Sequence, residues 1–368
     1  MDAGVWHDKG SKMDTLNIAP VSDGERLITG WEFLRSDLGG IWEAVRLVKK
    51  GNPESVPPWA PVTLPHCFNA TDAVDPDVSY YQGPGWYRTY LAINQPHSDG
   101  RVVLHFEGAG QKTRVFVYTT EVAQHVGGYD EFTVDITKEV NEFLMTDVCR
   151  EQFHCRVPVI IRCDNSRDLE TIPSDLSDFN LYGGLYRYVN LLYLPPVYID
   201  RVTVQASAGA VGGRGACVIS ASIKNHAGHA SAEAEIRILD MAGAVIAKKK
   251  ATFPAVSGRH ELCSIEVDKP NLWSPDKPYL YTCRVTVSFP SGRHEVSERF
   301  GFRSFEFVNN GPFLLNGKRL LLRGTHRHED HAGVGSAMTE EMIIAEMTLM
   351  KEMGVNFIRL AVADSAHR

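Results

Sequence analysis

At 368 residues the chain is too long for one ordinary hydrophobic core and calls for two or three domains. Its 43% hydrophobic and 23% charged content is that of a globular protein, and a net charge of −7 removes any electrostatic reason to bind nucleic acid or anionic lipid. No apolar run approaches the roughly 18 residues that cross a bilayer, so neither a nucleic acid nor a membrane is expected as a partner.

The opening Met1 to Lys9 has no basic segment followed by an apolar one, so no secretory signal is read there. The seven cysteines are odd in number and irregularly spaced, which points to buried reduced thiols rather than a disulfide framework. A cytoplasmic setting is the expectation.

From about Trp31 to Leu194, short β-rich runs alternate with turn residues. Val102–Phe106, Arg114–Tyr118, Phe132–Ile136 and Val157–Arg162 read as strands, and the spacing predicts an antiparallel sandwich with no helix of convincing length. Two loops gather glycines and aromatics, Tyr80–Arg88 and Phe179–Arg187, where glycine supplies unusual backbone angles and aromatic rings fill a sandwich rim. Pro195-Pro196 makes a stiff junction. Beyond it, Ala216–Ile223 and Thr282–Phe289 alternate sides, and about a hundred residues ending near Arg303 fit an immunoglobulin-like sandwich.

The period then changes. Arg319–Leu322 reads as a short buried strand bounded by Gly324, and apolar residues recur at helical spacing from Thr339 to Met353, with Thr339 placed to cap the helix and Gly354 to end it. Val355–Val362 reads as another buried strand. Strand, helix, strand is one βαβ unit of a parallel fold. Only 66 residues follow Phe302, against about 250 for a complete (β/α)8 barrel.

The densest chemistry lies at His326-Arg327-His328-Glu329-Asp330-His331, with three imidazoles, two carboxylates and a guanidinium in six positions. Read locally, the stretch fits H-x-H-x-D-H, which resembles metallo-β-lactamase-fold hydrolases and implies a zinc-dependent hydrolase.

Read along the whole chain, other stretches point elsewhere. Leu64–Ala70, Tyr80–Arg88, Gly127–Phe132 with Asp135-Ile136-Thr137, and Ser177–Asn180 with Tyr182–Arg187 come first. Asn271–Pro275, Pro278–Tyr281, Gly301–Arg303, Leu315–Lys318, Arg323–Thr325, Arg327–Asp330 and Met350–Arg359 follow in order. Together they resemble glycoside hydrolase family 2, the β-galactosidase and β-glucuronidase group, from about residue 60 to 361.

That resemblance implies a mainly β protein. It places a jelly-roll sugar-binding domain at 1–197, an immunoglobulin-like β-sandwich at 198–303 and the start of an incomplete TIM barrel at 304–368. Retaining hydrolysis of terminal β-linked sugars, most closely of the β-galactosidase type, is the implied activity. The implied partner is a β-galactoside-type carbohydrate, no cofactor or metal is called for, and a homo-oligomer is admitted. By the same resemblance His328 helps hold the sugar, Arg359 orders carboxylates of the site, and Asp178 reaches from the sandwich to sugar hydroxyls. Each role suits the recognition of an uncharged polyol by directional hydrogen bonds.

Two departures stand out. Tyr118-Thr119-Thr120 replaces the family's Asn-Gly turn, and after Ala361 the likeness stops at Val362, so the chain reads as truncated. Retaining glycosidases need two carboxyl groups about 5 Å apart. In the family both are glutamates on later barrel strands, so no catalytic residue is assigned here and the 368-residue chain is expected to be inactive alone. A carbohydrate-binding or assembly module is the reading from a different functional class.

Overall fold

A computed structural model describes residues 24–47, 52, 56–72, 74–171, 180–209, 213–290 and 292–360. The protein is mainly β, as expected. In the first sandwich a six-stranded sheet runs Ala60–Val62, Trp31–Leu34, Pro84–Leu91, Val157–Asp164, Lys112–Val117, Thr120–Val126. A four-stranded sheet of Gly24–Arg26, Val189–Leu194, Arg101–Phe106 and Phe132–Asp135 faces it. All these pairs are antiparallel, and residues alternating along the strands, among them Tyr87, Leu104, Phe106, Val115 and Ile161, are buried between the sheets. Tyr118 takes up the turn after Val117 at φ +52°, the strained position that an Asn-Gly turn would fill at lower cost.

Besides a five-residue helix at Ile41–Val45, two longer helices interrupt this sandwich where none of convincing length was expected, Thr137–Leu144 and Asp147–Phe153. At eight and seven residues they are too short to announce themselves by periodicity. Burial of Val140, Phe143, Cys149 and Phe153 against the sandwich core holds them, and the Thr146 hydroxyl caps the second by accepting from the Cys149 N–H at 3.1 Å.

In the second sandwich Val197–Ala208, Arg214–Asn225 and Gly258–Asp268 form one sheet. Val245–Pro254, Ser231–Leu239, Tyr281–Phe289 and Gly292–Phe300 form the other. Cys217, Cys263 and Cys283 serve as small residues of its core. Val103, Leu192 and Leu194 of the first sandwich pack with Tyr198 of the second.

The last region opens with a small antiparallel sheet, Phe305–Phe307, Phe313–Leu315 and Lys318–Arg319. Strand Gly324–Arg327, helix Glu340–Glu352 and strand Phe357–Leu360 then make the expected βαβ unit, the two strands pairing in parallel with His326 opposite Arg359. Thr339 caps the helix through the Met342 N–H at 3.4 Å, and Gly354 follows its end at φ +81°.

Two expectations fail here. The run at Arg319–Leu322 is not a buried strand: Leu321 and Leu322 are exposed, and the ladder begins only at Gly324. The Asn356 side chain replaces the missing ladder, its Oδ1 accepting from the Arg323 N–H at 2.8 Å and its Nδ2 donating to the Leu321 carbonyl at 3.0 Å. Nor is the second strand buried, since Phe357, Arg359 and Leu360 are exposed and helix Glu340–Glu352 has no buried residue. A single βαβ unit cannot cover its own apolar faces.

Candidate active site

Sequence stretches far apart in the chain meet at one end of the first sandwich. Cys67 pairs with Gly184 and His66 with Leu185 in a two-stranded ladder, and the Asn69 side chain locks the crossing. Its Oδ1 accepts from the Gly183 N–H at 3.0 Å and its Nδ2 donates to the Leu181 carbonyl at 2.9 Å. Glycine is required where the backbones come this close: a Cβ on Gly184, at φ +127°, would lie 2.5 Å from the His66 carbonyl oxygen. The Tyr186 hydroxyl, itself buried, donates to the Gly128 carbonyl at 2.7 Å. The aromatic and glycine-rich loops, read from sequence as rim packing, therefore build a rigid floor.

The segment 328–338, which follows the first parallel strand, lies on this floor. Ala337 packs with Cys67, Tyr182 and Tyr186, and Gly335 sits so close that an added Cβ would be 2.9 Å from the Cys67 sulfur. The segment closes on itself through the Gly335 N–H donating to the His331 carbonyl at 2.9 Å and the Ala337 N–H to the Val334 carbonyl at 3.0 Å.

Four buried or half-buried charges fasten it in alternating sign. Arg187 of the floor donates to one carboxylate oxygen of Glu329 and to the Ser336 carbonyl, while Arg327 donates to the other oxygen of Glu329 and, at 3.0 Å, to Glu346 on the helix. Arg187, Arg327 and Glu329 are all buried. An ion pair taken out of water needs every partner in place, and here each guanidinium has two or more acceptors. A lighter strap runs outside, where Arg26 bridges Glu107 at 3.1 Å and Glu340 at 3.3 Å.

Around Arg187 the floor is lined by neutral groups. Burial pushes the Cys67 thiol up to about 11 and the Tyr182 and Tyr129 hydroxyls up to about 12, and it lowers the His66 imidazole to about 4. At neutral pH these side chains are uncharged, and the protonated Tyr182 hydroxyl donates to Asp330 at 3.2 Å.

His328 lies just past the first parallel strand and is exposed, so it is not a core histidine. Arg359 lies on the second strand, also exposed, opposite His326. Asp178 falls outside the described residues, and Asn180 beside it donates to the Tyr182 hydroxyl at 3.4 Å. Glu329 has both carboxylate oxygens engaged by guanidiniums, which makes it a partner in an ion-pair network rather than a group directed at a substrate.

The zinc reading is not supported by this geometry. Glu329 is consumed in ion pairs, Asp330 is held by Tyr182, and the His331 Nδ1 is bonded to the Ala332 carbonyl at 3.0 Å. Among the described residues no three His, Cys, Asp or Glu side chains converge as ligands. Sequence reasoning missed Arg187 and Gly335, whose only local signals were an arginine ending an aromatic run and a glycine amid small residues.

Two β-sandwiches leading into a parallel βαβ unit, with the loop after the first parallel strand seated on the first sandwich, define a class of multidomain, mainly β protein. Residues 197–303 match the family model for glycosyl hydrolases family 2, and residues 307–362 match its TIM barrel domain. A putative β-glucuronidase of Formosa agariphila is 35% identical over 304 residues, 82% of this chain and 35% of that protein. A β-galactosidase of Thermoanaerobacter pseudethanolicus is 28% identical over 316 residues, 82% of this chain and 38% of that protein. The crystal structure of Parabacteroides merdae β-glucuronidase is 54% identical with a TM-score of 0.87, covering 92% of this chain and 44% of that one.

The chain belongs to glycoside hydrolase family 2. It spans well under half the length of these three relatives.

Proposed function

We propose that these residues form the sandwich platform and first wall of the sugar pocket in a glycosidase that acts on terminal β-linked glucuronides with retention. The seating of segment 328–338 on the Tyr182–Arg187 floor carries this reading, because the loop after a parallel strand is where a barrel of this kind builds its pocket. His328 then offers an imidazole to a sugar hydroxyl, and Arg359 orders carboxylates from neighbouring barrel strands. The two carboxyl groups that retention requires are not assigned to the described residues.

The expected galactoside gives way to a glucuronide on the strength of likeness. Identity is 54% to the Parabacteroides merdae β-glucuronidase and 28% to the Thermoanaerobacter pseudethanolicus β-galactosidase.

The test is the whole product of the gene that encodes these residues, assayed with 4-nitrophenyl β-D-glucuronide and 4-nitrophenyl β-D-galactoside. A kcat/KM at least about a hundredfold higher for the glucuronide is expected, since any site that hydrogen-bonds a substrate's carboxylate discriminates strongly against the analogue lacking it. Preference for the galactoside would reverse the sugar assignment. Absence of turnover with either, together with heat on titrating free sugar, would leave a carbohydrate-binding module in its place.

A further inference from the structure

From Arg327, the last residue of the parallel strand, to Asp330 burial alternates across a bend at Glu329: Arg327 buried, His328 exposed, Glu329 buried, Asp330 exposed. Anchoring the buried side chain at the bend fixes the backbone there, and with it the outward direction of its two exposed neighbours. Glu329 is the anchor. Its two carboxylate oxygens are taken by guanidiniums arriving from two parts of the fold, Arg327 from the parallel strand and Arg187 from the sandwich. Arg187 also reaches the Ser336 carbonyl at the far end of the same segment, so one sandwich side chain holds both ends of it.

We propose that Arg187 and Glu329 are positioning residues for the sugar pocket. Their cross-domain ion pair turns Glu329 inward and thereby presents His328 and Asp330 outward, so a sandwich residue that does not touch the sugar sets the affinity of the barrel for it. This rests on the glycosidase reading for its kinetic consequence, though not for its structural one. A pair that served only to glue the domains together has an obvious substitute in apolar packing, which holds surfaces without the desolvation of two charges. An anchored carboxylate fixes a direction as well, which apolar packing does not.

The experiment compares Arg187→Ala, Arg187→Lys and the isosteric Glu329→Gln with the unmodified protein in two ways. Hydrogen exchange on this 368-residue chain reads the Gly335 and Ala337 N–H groups, both bonded within the segment. Exchange there is expected to speed up at least about tenfold in Arg187→Ala and Glu329→Gln, with strand Tyr281–Phe289 unchanged and Arg187→Lys intermediate. In the whole gene product KM is expected to rise about tenfold while kcat changes less than about threefold, the signature of lost ground-state and transition-state binding alike.

Unchanged exchange in the segment, or a fall in thermal stability with KM intact, would overturn the proposal. Should the unmodified gene product turn over no β-glycoside, the functional reading fails while the exchange comparison still decides the positioning role.

Discussion

The hydroxyl of Tyr182, in the sandwich, donates to the Asp330 carboxylate at 3.2 Å, joining two positions 148 residues apart. With Asp330 exposed, the bond is worth about 1 kcal/mol. Tyr182→Phe removes it while leaving the ring against Gly335, and denaturant midpoints should show a loss of about that size. Tyr182→Ala removes the ring as well and is expected to cost about 3 kcal/mol or more, because the ring is buried against Cys67 and Ala337.

Gly335 and Gly333 separate two costs that usually arrive together. Both have positive φ, +56° and +85°, but an added Cβ at Gly335 would meet Cys67 and Tyr182 at 2.9 Å, whereas at Gly333 it would meet nothing within 4 Å. Gly333→Ala should therefore cost about 1 kcal/mol of backbone strain alone. Gly335→Ala should cost about 1–2 kcal/mol more, from overpacking of the floor. Paired thermal melts measure the difference.

His66 gives the fold a defined acid sensitivity. Burial lowers its imidazole from 6.5 in the unfolded chain to about 4, and Nδ1 is hydrogen-bonded to the Tyr87 hydroxyl at 2.8 Å. Above pH 6.5 both states are neutral at this residue and its contribution is complete. As pH falls from 6.5 towards 4, the unfolded chain takes up a proton that the folded one refuses, so stability drops, by up to about 3 kcal/mol at the end of the window. His66→Gln should flatten this slope relative to the unmodified protein in urea midpoints taken across pH 4 to 7.

Thiol chemistry should be confined to one place. All seven cysteines are free, and Cys155 alone among them is exposed. Burial holds the Cys163 and Cys283 thiols up at about 12. A colourless aromatic disulfide reagent should release one equivalent of thiolate rapidly from the native protein and the remainder only on denaturation. Cys155→Ser should abolish the rapid phase.

The 368-residue chain assayed by itself is expected to hydrolyse neither nitrophenyl β-glucuronide nor β-galactoside. The buried carboxylate of segment 328–338, Glu329, is occupied by two arginines. Turnover that survives inhibitor and contaminant controls would refute this.

Much of the architecture was legible because it is written locally. Strand runs such as Val157–Asp164 carry their own alternation, and Thr339 and Gly354 mark both ends of a helix within their own neighbourhood. The errors came where local pattern was outvoted. Leu320-Leu321-Leu322 has the composition of a buried strand, yet the polar side chain of Asn356 draws the backbone around it off the ladder. Short helices at Thr137–Leu144 and Asp147–Phe153 depend on a core built by distant strands. Arg187 and Glu329, 142 positions apart, could not be paired by any periodicity, and the imidazole cluster looked like a ligand set because sequence adjacency does not show whether side chains converge.

Helix Glu340–Glu352 and the strand after it turn Ile344, Leu349, Met353, Phe357 and Leu360 to water. Such an oily flank behaves as a colloidal liability: the purified polypeptide should clump as it is concentrated, faster in ammonium sulfate than in dilute buffer. Replacing Leu349 and Met353 with glutamate should keep it dispersed without touching either sandwich.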